Sequence, residues 1–114
     1  MTPAMFHIAL ALAGGPRHGY ALMHDVELLS GGAMHLGPGT LYRSLQRMRV
    51  ESLIEDSPGN KTSGDERRRK YQLTAFGRET LQGEAQRLAA LVAVAVQQGI
   101  VHPPTTETST GVAR

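Results

Sequence analysis

The sequence of 114 residues contains no cysteine and no tryptophan. Without thiols, disulfides, thiolate metal sites and cysteine nucleophiles are excluded together, and the composition fits a reducing compartment, by default the cytoplasm. Excess charge of one sign is also missing: twelve basic and ten acidic residues leave a formal +2. Bulk basicity therefore argues for no partner, and the placement of the charges has to carry that argument. The longest strongly apolar run, residues 88–96, is far short of the ~18 residues of a membrane span. No basic flank precedes the apolar N-terminal segment, so neither a membrane partner nor an export signal is expected. The five histidines, His7, His18, His24, His35 and His102, form no pair at i, i+3 or i+4, and no metal site is expected from them. There is no nucleophile elbow, phosphate-binding glycine loop or framed pair of carboxylates, so neither an enzyme nor a cofactor is implied. Gly37-Pro38-Gly39 is a turn.

What is present is 40% apolar residues in a chain of about the modal domain size, which predicts one folded domain without internal repeats. Thr2 before Pro3 is a helix-start signal, and the first helix is expected from Pro3 to Ala13. Met5, Ile8, Ala9 and Leu12 form one face, but Phe6, Leu10 and Ala13 make the other side apolar too. A helix apolar all round is covered on two sides, and in so small a domain the second cover is expected to be another subunit. Gly14-Gly15-Pro16 ends this helix. Tyr20, Met23, Val26 and Leu29 mark a second, closing at Ser30-Gly31-Gly32, and a third is expected from Thr40 to about Glu51. Residues 53–57 and 69–74 read as strands of a hairpin around a polar loop. From Thr74, a candidate cap, a fourth helix runs to about Gln98. In it Leu81, Ala85, Leu88, Val92 and Ala95 repeat as a heptad seam. Gly77 and Gly83 lie inside this helix, at a cost of about 1 kcal/mol each unless they permit close packing.

The expected fold is mainly α with a small β-hairpin: a winged helix-turn-helix over residues 1–74, a C-terminal dimerisation helix over 75–100 and a disordered tail over 101–114. On the third helix Leu41, Leu45 and Met48 face inward, while Thr40, Arg43 and Arg47 face out. At the base of the hairpin stand four consecutive cations, Arg67, Arg68, Arg69 and Lys70. A helix of this diameter fits the DNA major groove, where outward arginines reach base acceptors, and wing cations neutralise phosphate. Taken alone, the cation run is equally an ordinary solvated charge cluster beside Asp65 and Glu66. The hairpin and the helix pair upstream favour double-stranded DNA.

Three motifs, in order and at these separations, resemble the PadR family of transcriptional regulators. They are His18-Gly19-Tyr20, Gly37-Pro38-Gly39-Thr40-Leu41-Tyr42, and Arg69-Lys70-Tyr71-Gln72-Leu73-Thr74-Ala75-Phe76-Gly77-Arg78. The resemblance covers residues 4 to about 95 and is closest to the short subgroup whose single C-terminal helix serves dimerisation. It implies a homodimeric repressor acting on a roughly palindromic operator, with Tyr20, Thr40, Tyr42 and Arg43 at DNA and Arg67 to Lys70 in the wing. For Tyr42, local packing of the ring competes with a phosphate contact. The chain departs from the family at Gly37, where serine is common, and at Ser52, where glycine is common. A left-handed Ser52 would cost about 1 kcal/mol.

The expected dimer interface comprises Met5, Ile8, Leu12, Leu81, Ala85, Leu88, Val92 and Ala95. Some family members bind aromatic effectors through a tryptophan on the last helix, which this chain lacks. A small aromatic effector remains a candidate partner in a pocket lined by Met5, Ile8, Leu88 and Val92, residues that would serve equally as dimer core. Two further readings compete: an effector-responsive small-molecule sensor on the same fold, and a winged helix that binds acidic protein surfaces instead of DNA.

Overall fold

The structure is a computed structural model and describes residues 1–59 and 68–102. Arg67 and the expected tail from residue 103 onward lie outside the described residues. The elements are α1 (Pro3–Leu12), β1 (Arg17–His18), α2 (Gly19–Leu29), α3 (Pro38–Val50), β2 (Ile54–Asp56), β3 (Lys70–Leu73) and α4 (Ala75–Gln97). The chain divides into two compact units, Met1–Glu84 and Ala85–Arg114, with the boundary inside α4.

In the first unit α1 starts as its sequence dictates. Thr2 Oγ1 accepts the Met5 amide at 3.1 Å, and Pro3 occupies the first turn, where its missing N–H is not needed. The core gathers Met5, Ile8 and Leu12 from α1, Leu22 and Val26 from α2, Leu41, Leu45 and Met48 from α3, Leu53 just before β2, Ile54 from β2, Tyr71 from β3 and Leu81 from α4. Each such apolar side chain contributes about 1.5–3 kcal/mol on burial. The first unit extends past residue 74 because Gly77 and Leu81 are buried in it.

The third helix begins two residues earlier than the sequence suggested. Pro38 sits at its first position and Gly37 caps it through backbone geometry alone, with no side-chain hydrogen bond. At its other end, Ser52 donates its amide to the Arg49 carbonyl at 3.0 Å and Leu53 donates to Met48 at 2.8 Å. This closure requires a left-handed residue, and Ser52 supplies it at φ 63°.

The sheet has three antiparallel strands in the order β1-β3-β2. The expected hairpin is the β2/β3 pair, with Ile54 opposite Leu73 and Asp56 opposite Tyr71. The third strand, β1, is an addition to that expectation and places His18 opposite Lys70.

A compact joint ties the end of α3 to the start of α4. The Thr74 hydroxyl donates to the Ser52 carbonyl at 2.6 Å and accepts the Gly77 amide at 2.8 Å, while the Thr74 amide donates to the Leu53 carbonyl at 3.1 Å. A Cβ on Gly77 would stand 1.9 Å from the Leu53 oxygen, so the two segments touch only because residue 77 has no side chain.

In the second unit α4 continues to Gln97 and closes on Gly99 at φ 75°. Leu91, Val92 and Val94 are 55%, 45% and 50% exposed, leaving this end of the helix apolar and open to solvent. Among the described residues, no helix is long and apolar enough to cross a membrane.

Candidate nucleic-acid interface

Leu41, Leu45 and Met48 fix the rotation of α3 by entering the core, which turns Arg43 and Arg47 outward. Thr40 is exposed on the first turn, and the Arg43 guanidinium lies back toward it, with Nη2 3.4 Å from Thr40 Oγ1. Among the described residues Arg43 meets no carboxylate. The same turn presents the unpaired amides and positive dipole end of the helix, a favourable place for an anion.

Tyr20, 57% exposed on the first turn of α2, stacks on His18 with ring centroids 5.2 Å apart and planes at 19°. Arg68 is exposed just before β3, and Lys70 is exposed on β3 itself, outward because Tyr71 beside it is buried.

Two expected contacts sit differently. The Tyr42 ring packs against the core cluster and its hydroxyl oxygen is buried, so this side chain follows the packing alternative. Arg69 is turned onto Asp56, with Nη1 2.5 Å from Oδ2, and only 22% of its side chain is exposed. This pair links the residue before β3 to the end of β2.

Further ion pairs lie on the same elements. Arg47 Nε is 2.8 Å from Glu51 Oε2, and Arg49 Nη2 approaches Asp56 Oδ2 at 3.8 Å. Arg17 holds Asp25 through two bonds, Nε to Oδ2 at 2.7 Å and Nη2 to Oδ1 at 2.8 Å, fixing β1 to α2. The hydrogen bond and the charge of Asp25 raise the Arg17 guanidinium above its ordinary pKa. These acids were not singled out as partners from the sequence. The i, i+4 spacing of Arg47 and Glu51 could have revealed the first pair, whereas the others need the tertiary fold.

The expected interface residues fall into two sets. Met5, Ile8, Leu12 and Leu81 are 0–5% exposed inside the chain's own core, so a second subunit would not find them on the surface. The correction has a simple cause: their helical periodicity marks a buried face without saying what buries it. It removes Met5 and Ile8 as lining of an open effector pocket as well. Ala85, Leu88 and Ala95 are half-buried and Val92 is 45% exposed. Among the described residues no group of three or more histidine, cysteine or acidic side chains is placed to hold a metal.

Comparison with known proteins gives these features a common origin. A solved PadR family transcription regulator from Clostridium difficile is 26% identical and superposes with a TM-score of 0.65 over 82% of this chain and 95% of that one. A PadR-like transcriptional regulator from Bacillus cereus is 23% identical, with a TM-score of 0.63 over 87% of this chain and 92% of its own. Bacillus subtilis PadR, solved in complex with operator DNA, has the same fold at 19% identity, with a TM-score of 0.60 over 96% of this chain and 54% of that one. A 37.1 kDa transposon protein of Streptomyces fradiae is 39% identical over 90 residues, or 77% of this chain, and this chain spans 24% of that protein's length. The transcriptional regulator PadR-like family matches residues 8–83, from within α1 to within α4. With its sequence pattern running through every element of the winged helix, and the solved members sharing the fold, the chain belongs to the PadR-like family of transcriptional regulators.

Proposed function

We propose that the chain is a cytoplasmic repressor that binds double-stranded DNA as a homodimer, each α3 entering the major groove of one half of a roughly palindromic operator. The observation that carries this reading is Arg43. It lies on the face of α3 opposite the core and beside an exposed helix N-terminus, with no carboxylate partner among the described residues. Arg68 and Lys70 supply phosphate contacts from the wing, and Tyr20 on the first turn of α2 and Thr40 on the first turn of α3 add polar groups exposed to the duplex. The operator complex of Bacillus subtilis PadR lends the same fold a DNA-bound precedent.

The dimer in this proposal is built on α4, where Leu91, Val92 and Val94 expose apolar surface. Two recognition helices related by a two-fold axis read half-sites one helical turn apart, about 34–36 Å, or a multiple of it.

Fluorescence anisotropy with the gene's own upstream duplex and a scrambled control, titrated over salt, tests the reading. The expected result is tighter binding to the upstream duplex and a steep fall with salt. Arg43→Ala should weaken that binding by about 1–3 kcal/mol while the circular dichroism and melting temperature stay as in the parent. Unchanged affinity in the variant would remove Arg43 from the interface, and no duplex binding at low salt would refute the function.

A further inference from the structure

Glu51 stands in a place that helix energetics disfavour. It caps the C-terminus of α3, where the helix dipole is negative and prefers cations. It also follows Arg47 in the poorer of the two i, i+4 orders. Asp56 is similarly costly: Oδ2 serves Arg69 and Arg49 together, while Oδ1 is buried with no hydrogen-bond partner among the described residues. Neither acid is placed for stability, yet between them they occupy three arginines on α3 and at the start of β3.

Binding to DNA of any sequence comes almost entirely from cations that neutralise phosphates and release counterions. A guanidinium already held by a carboxylate releases fewer, because it must first give up its partner. The Arg47–Glu51 pair is 61% and 43% exposed, and pairs in such surroundings are weak enough for a phosphate to displace the acid. We infer that Glu51 and Asp56 are positioning residues that suppress non-specific DNA binding by holding Arg47, Arg49 and Arg69 on carboxylates. These arginines exchange to phosphate only where α3 fits its site closely. This inference rests on the DNA-binding reading above.

The test uses the full chain, a scrambled duplex and anisotropy titrations at several salt concentrations. Glu51→Gln and Asp56→Asn keep the shapes of the side chains and free the arginines. Each should bind the scrambled duplex about three- to tenfold tighter at low salt, with the slope of log K against log salt steeper by about 0.9 per arginine released. Adding Arg47→Gln to Glu51→Gln should cancel the gain. Glu79→Gln, an exposed acid on the first turns of α4, makes the same change in net charge and should leave the slope as it was. Should Asp56→Asn lower the melting temperature, the exposed Glu51 pair decides the matter. Unchanged or weaker binding in Glu51→Gln at the parent melting temperature overturns the inference, as does an equal gain in Glu79→Gln. If the parent chain binds no duplex at all, the DNA-binding reading falls first, and this inference with it.

Discussion

Helices α2, α3 and α4 close with the same pair of backbone hydrogen bonds, but only α3 does so on a residue that carries a Cβ. The left-handed position is Gly31 at φ 62° after α2 and Gly99 at φ 75° after α4, against Ser52 at φ 63° after α3. Ser52→Gly should therefore stabilise the fold by about 1 kcal/mol, read as a rise of about 4–8 °C in melting temperature. The family resemblance pointed to this position, since serine stands there in place of the usual glycine. Other residues were less legible. The fate of Arg69 depends on Asp56 across the hairpin, and that of Tyr42 on packing against the core, and neither partner is visible from local spacing. Arg17 and Asp25 find each other only when a two-residue strand returns against α2.

Among the elements, α4 contains two glycines with opposite consequences. Gly83 has nothing within 4 Å of the position a Cβ would take, so Gly83→Ala should add about 1 kcal/mol through helix propensity. Gly77→Ala would drive its methyl into the Leu53 carbonyl and should cost about 2–3 kcal/mol, with thermal melts of the two variants moving in opposite directions. The sequence raised the question at both positions without distinguishing them, because close approach is a tertiary property. Punctuation by Thr2, Gly31-Gly32 and Thr74 made the helices themselves readable, each through a capping group that acts within five residues. β1 left no such mark, since two residues carry no periodicity and its partner β3 lies more than fifty positions away.

At the scale of the whole molecule, the open question in the sequence was which apolar surface serves the chain and which serves a second copy. The face of α1 holding Met5, Ile8 and Leu12 is spent internally, whereas α4 beyond Ala85 keeps Leu91, Val92 and Val94 at the surface. Val92→Asp should thus convert the proposed dimer into monomers, measured by light scattering, and abolish the dependence of melting temperature on protein concentration. A soluble dimer in that variant would move the interface elsewhere. The joint at Leu53 has a consequence on another axis, that of time. One carbonyl receives the Thr74 amide and hydroxyl and touches Gly77, so the last turn of α3, the return strand and the first turn of α4 share a single fastening. These segments should lose their protection from solvent exchange together, with α3 fraying no sooner than the joint that anchors it, as amide hydrogen exchange would read.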